Sequence, residues 1–179
     1  MRGERGFSLL ELLIVIVIVS VLVVVGVDRL LALRFEAERT SVQSVTGALK
    51  SALYIDFAAA AARGEMQRMD LARGSNPMLR LAERPDSYAG EFFGADPGLF
   101  DPGTWYFDTR DRALVYLVRF PQHFVTALSG APRLRLGVEP DYDDVDANGR
   151  FDPGRDAVRG LKLVPLEPFY WKSERGKQQ

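Results

Sequence analysis

Gly6-Phe7-Ser8-Leu9-Leu10-Glu11-Leu12-Leu13 opens the longest apolar run of the chain. From Leu12 to Val27 sixteen residues pass with nothing more polar than Ser20 and Gly26, and Asp28-Arg29 end the run. Phe7 to Val27 is twenty-one residues, or about 31 Å as a helix at about 1.5 Å per residue. A bilayer's hydrocarbon core is about 30 Å thick, so the stretch reads as a membrane span. A secretory signal peptide would have a shorter apolar region and a small-residue cleavage site after it, and no Ala-x-Ala-like site follows Val27. Arg2 and Arg5 precede the run, whereas Asp28-Arg29 is neutral. The positive-inside rule then places the amino terminus in the cytoplasm and the chain beyond residue 28 on the other side.

Glu11 is out of place in such a run. A carboxylate inside a span costs on the order of 2.5–3.5 kcal/mol and is a functional hypothesis by default. Taken alone, it is equally a residue near the membrane edge that reaches the headgroups. The composite of a basic leader, Gly6, Phe7-Ser8-Leu9-Leu10-Glu11 and an unbroken apolar stretch favours function.

Those residues resemble the amino terminus of the type IV pilin superfamily, which comprises pilins, minor pilins and type II secretion pseudopilins. The resemblance covers about the first thirty residues. It implies that residues 1–6 are a leader, that a prepilin peptidase cuts after Gly6, and that the new amino terminus on Phe7 is N-methylated. It also implies that Glu11 neutralises the Phe7 ammonium of a neighbouring subunit. Each charge buried alone is costly and pairing offsets much of that cost, so the pair would act as a register device. The implied partners are other copies or related pilin subunits in a helical filament, the peptidase, and an inner-membrane assembly platform. The implied location is the bacterial inner membrane, single-pass with a periplasmic head, and then a pilus or pseudopilus. The proline that kinks this helix in many family members is missing, since the region reads Gly26-Val27-Asp28.

Beyond the span the helical pattern continues without proline until Pro77. Leu30, Leu31, Ala37, Val42, Val45, Leu49, Ala52 and Leu53 recur mostly at steps of three and four, which makes one apolar stripe. Alanines 58–62 favour helix and Gly64 is a plausible stop. A helix from Phe7 to about Arg63 would be about 85 Å long, too long for one small domain to bury. The expected division is 7–28 in the membrane or filament core, 29–63 as an amphipathic half, and 64–179 as a globular head.

In the head, residues 64–101 are dense in Gly and Pro and read as a loop-rich connection. Trp105-Tyr106-Phe107 and residues 114–118 flank Asp108–Arg112 as a hairpin. Residues 133–138 alternate with period two, and residues 161–166 read as a last strand with Pro165 at an edge or end. Three or four antiparallel strands over the helix make an α+β fold. The aromatics at strand spacing read as core, and Phe169-Tyr170-Trp171 as packing or a subunit contact.

Asp144, Asp146, Asn148 and Gly149 fall at positions one, three, five and six of an EF-hand-like loop, with the Arg150 carbonyl at seven and Asp152 at nine. Position twelve is Arg155, and Asp156 comes one residue late, so the candidate metal ligands are Asp144, Asp146, Asn148, Arg150, Asp152 and Asp156. Two readings of the acidic stretch 141–156 stand side by side: a structural Ca2+ loop, and a solvated acidic turn. Some pseudopilins hold calcium in a carboxy-terminal loop, so the resemblance favours the first.

Composition excludes other classes. The net charge is −1 over 179 residues, which argues against a nucleic-acid-binding module. Zero cysteines remove disulfides and thiol chemistry. The single histidine, His123, leaves no imidazole metal centre and no Ser-His-Asp set. The expectation is a filament subunit that is not an enzyme. The alternatives are a minor pilin with a binding head for adhesion, DNA or a secreted substrate, and a signal-anchored calcium-binding domain that never polymerises.

Overall fold

The computed structural model describes residues 8–65, 72–152 and 155–172. The fold is α+β, with a long amino-terminal helix and a mostly antiparallel sheet. Helix α1 runs Leu9–Ala62, 54 residues. It ends where the sequence placed its stop. Gly64 has φ +69°, and its N–H donates to the Ala61 carbonyl while the Glu65 N–H donates to the Ala60 carbonyl. This paired closure of the last turn needs a left-handed residue, which glycine supplies without a Cβ clash.

The chain divides into two compact units, residues 1–37 and 38–179. In the first, Leu9–Val27 is long and apolar enough to cross a membrane, with mean hydropathy 3.2 and none of it buried within the protein. The Ser20 hydroxyl donates to the Ile16 carbonyl at 2.7 Å, so the one hydroxyl of the run is satisfied inside the helix.

In the second unit α1 contributes Val42, Leu49, Leu53 and Ala60 to the core. Leu30 and Ala37, assigned to the same stripe from sequence, lie in the first unit and are exposed. The sheet has order β1-β2-β3-β5-β6, from β1 (Tyr88–Phe92), β2 (Trp105–Asp108), β3 (Ala113–Leu117), β5 (Arg133–Asp143) and β6 (Ala157–Pro165). Strands β4 (Phe124–Thr126) and β7 (Phe169–Trp171) pair separately. The period-two alternation of strands sorts the side chains. Trp105, Phe107, Leu114, Tyr116, Leu134, Leu136 and Val138 join the helix-side core. Tyr106, Ala113, Val115 and Leu117 form a second cluster with Phe100.

The hairpin and the two later strands stand where expected. β1 is an addition to the expected three or four strands, and it pairs parallel to β2, so the sheet is mixed. It lies in the glycine-rich connection, where five residues, Tyr-Ala-Gly-Glu-Phe, carry no alternation strong enough to mark a strand. Two of the three terminal aromatics are packing residues: Phe169 meets Phe124 in a tilted contact and Trp171 meets it edge-on, both against the main core, whereas Tyr170 is exposed.

Candidate functional site

At the amino terminus, α1 begins directly after Ser8. The Leu12 N–H donates to the Ser8 carbonyl at 3.1 Å, and the Glu11 N–H donates to Ser8 Oγ at 3.2 Å. Ser8-Leu9-Leu10-Glu11 therefore begins the helix with the Ser-x-x-Glu pattern of a capping box, its serine half made. Glu11 sits in the first turn, where the unsatisfied N–H groups favour a negative charge, and it is exposed. The carboxylate is thus held at the very start of the apolar helix rather than in its middle. Gly6 and Phe7 lie outside the described residues.

The acidic stretch is the tip of the β5–β6 hairpin. Carboxylate oxygens of Asp144, Asp146 and Asp156 all lie within 4.8 Å of one another. Asp156 is buried and is oriented by two backbone donors, the Val145 N–H at 3.1 Å and the Asp152 N–H at 2.8 Å. Asp144 accepts from the Gly149 N–H at 2.7 Å and the Asn148 N–H at 3.2 Å. The Gly149 N–H foremost holds the Asp144 carboxyl below its ordinary pKa. Desolvation, followed by the adjoining Asp144 carboxyl, pushes Asp146 up. Arg155 pairs with Asp146 at 3.1 Å, and the Tyr142 and Phe151 rings meet at 5.0 Å beneath the loop.

The linear comparison therefore mapped the loop only in part. Of the six candidate ligands, Asp144, Asp146 and Asp156 bring their carboxylates together, Asp156 although it falls one position late for an EF-hand loop. Asn148 is turned to Asp152, donating to it at 2.7 Å, and its Oδ1 accepts the Arg150 N–H at 2.7 Å. Three convergent carboxylates are a hard-oxygen donor set. A Ca2+ ion with oxygens at about 2.3–2.6 Å needs its ligands within about 5 Å of each other, so the trio fits one.

Sequence reasoning missed a buried carboxylate on α1. Glu38, 7% exposed, accepts the Tyr116 hydroxyl at 2.9 Å, the Arg119 N–H at 2.5 Å and the Phe120 N–H at 3.0 Å. On a helical wheel it is one acid among several, and its donors are about eighty residues away. The only signal was its place on the stripe face, four residues before Val42.

Comparison with known proteins bears on the amino terminus. Residues 1–27 match the family model described as the prokaryotic N-terminal methylation motif. No curated protein and no solved structure matches the chain significantly. Residues 1–27 thus carry the type IV pilin and pseudopilin signature, on a chain whose fold is α+β behind a long apolar helix.

Proposed function

We propose that the chain is a non-enzymatic subunit of a filament of the type IV pilus or type II secretion pseudopilus kind. The observation that carries this reading is the methylation motif over residues 1–27, seated on a helix whose Leu9–Val27 stretch is wholly exposed within the chain. A surface that apolar needs lipid before assembly and other subunits after it. In this reading prepilin peptidase cleaves after Gly6 and Phe7 is N-methylated. The Glu11 carboxylate, in the first helical turn, then meets the Phe7 ammonium of the next subunit. Head-to-tail contacts of that kind do not close and give an open helical filament. The head faces the periplasm, and its β5–β6 tip holds Ca2+ through Asp144, Asp146 and Asp156 as a structural staple. The convergent carboxylate oxygens support that assignment.

The test is the intact mass and amino-terminal sequence of the protein taken from its native membranes. A chain that starts at Phe7 and carries one added methyl group supports the reading. A chain that still starts at Met1 leaves a signal-anchored domain and removes the role given to Glu11.

A further inference from the structure

The tip of the β5–β6 hairpin carries Asn148-Gly149. A glycine after asparagine leaves the next backbone nitrogen open to the side-chain carbonyl carbon. Gly149 has φ +75°, and no atom beyond its chain neighbours stands within 4 Å of where its Cβ would be. Both residues are exposed, so neither bulk nor burial shields the junction. The chain's other asparagine, Asn76, precedes Pro77, which has no N–H to react.

The reaction open to such a pair is loss of the side-chain amide. The Gly149 nitrogen gives its proton to solvent and bonds to Asn148 Cγ, and the Cγ–Nδ2 bond breaks to release ammonia. Water then opens the cyclic imide. Attack at Cγ gives aspartate, and attack at the main-chain carbonyl gives an isoaspartyl link through Cγ. One water enters, one ammonia leaves, and nothing is oxidised or reduced.

In the folded tip each reacting group is engaged. The Gly149 N–H donates to Asp144 Oδ2 at 2.7 Å, and a carboxylate beside that nitrogen disfavours the anion that must form. The Arg150 N–H donates to Asn148 Oδ1 at 2.7 Å, while Asn148 Nδ2 donates to Asp152 Oδ2 at 2.7 Å. The carboxamide is pinned at both ends, and turning its face to the Gly149 nitrogen breaks these bonds. The turn also leans on them, since Ala147 has φ +56°, a region that a non-glycine residue enters at a cost.

We infer that Asn148 is a modification site: a deamidation site that the tip's own hydrogen bonds hold closed and that opens when the tip loosens. The change reinforces itself. It replaces the amide donor that faces Asp152 with a second negative charge, and like charges so close disfavour each other. The altered tip no longer closes as before, so the modification runs one way. It requires neither an ion at the tip nor assembly into a filament.

The experiment ages the full chain in detergent micelles at pH 7 with a chelator present, and follows Asn148 by peptide mass spectrometry and ammonia release. The folded chain is expected to deamidate several-fold more slowly than the same chain unfolded in urea. Asp152→Ala should deamidate several-fold faster than the folded native chain, and Asp152→Asn, which keeps an acceptor oxygen, should stay near it. The product is read separately in Asn148→Asp, where trypsin should cut after Arg150 several-fold faster than in the native chain. Equal rates in the folded and unfolded chain, no acceleration in Asp152→Ala, or unchanged trypsin cutting of Asn148→Asp overturns the inference. If Trp105 fluorescence shows that Asp152→Ala accelerates only by unfolding the whole head, the protection belongs to the fold at large and the inference is overturned as well.

Discussion

The Tyr116 hydroxyl on β3 donates to Glu38 Oε1 on α1 at 2.9 Å, across 78 residues of sequence. Both residues are buried. The same carboxylate takes the backbone N–H groups of Arg119 and Phe120, just past the end of β3. One acid thus satisfies three donors that would otherwise be orphaned where the strand leaves the sheet, and it fixes the helix along its axis against the sheet.

Glu38→Ala is expected to destabilise the 38–179 unit by about 3 kcal/mol, because it leaves the buried Tyr116 hydroxyl unpaired, at about 1–3 kcal/mol, and takes the acceptor from two part-buried N–H groups. Tyr116→Phe removes one donor and leaves the carboxylate with two, so it should cost about 1 kcal/mol. Urea unfolding followed by the fluorescence of buried Trp105 measures both. Equal costs for the two variants would mean that the backbone donors find water and the carboxylate is not their anchor.

Alkaline stability follows from the same pair. Burial first, and then the Glu38 carboxylate, raises the Tyr116 pKa well above its ordinary value of 10.0. The folded state therefore keeps a proton that the unfolded state releases above about pH 10. Stability is fully present below that pH and is lost as pH rises toward the folded pKa. Tyr88 and Tyr106 are shifted in the same direction, chiefly by burial. Tyr116→Phe should flatten the fall in melting temperature between pH 9.5 and 11 without removing it, and an unchanged slope would exclude this residue as a source.

Assembly should be separable from processing. Glu11→Ala is expected to leave cleavage after Gly6 intact, yet to remove the chain from sheared filaments, because the Phe7 ammonium loses its counter-charge. Ser8→Ala keeps the charge and loses the helix cap, about 0.5–2 kcal/mol, so it should weaken incorporation less than Glu11→Ala does. Immunoblots of sheared and membrane fractions read both variants, and normal incorporation of Glu11→Ala would sink the register role.

Calcium should raise the melting temperature of the head in a saturable way, and a chelator should reverse it, since a ligand that binds only the native state stabilises it by mass action. Asp146→Asn removes a donor whose carboxylate holds no loop backbone in place beyond its own turn, so it should abolish the calcium response while changing the calcium-free melt little. Asp156→Asn should lower the calcium-free melt too, because that carboxylate accepts Val145 and Asp152 N–H groups. A calcium response that survives Asp146→Asn would remove this residue from the site.

Much of the molecule was legible in one dimension because its signals are local. The apolar run, the Gly64 helix end, the β2–β3 hairpin and the 133–138 strand each declare themselves within a few residues through periodicity or turn chemistry. β1 did not, since a short strand containing Gly90 earns its place by pairing with β2 and by the Asn76 amide, which donates to Tyr88 and Glu91 at 2.7 Å. The acidic loop lies between these cases. Its composition marked a cluster of oxygens, but which carboxylates converge depends on how two strands close. That closure brings in Asp156 and turns Asn148 aside.

By itself the sequence determined the membrane-length helix, the processing motif and the α+β class, because hydrophobic period, a glycine stop and a short motif act over one or two turns of chain. Only the tertiary structure decided that Glu38 is the buried anchor and that Asp144, Asp146 and Asp156 are the candidate ligands that converge. Each of those depends on which donors or acids the folded chain brings together, and no linear spacing carries that information.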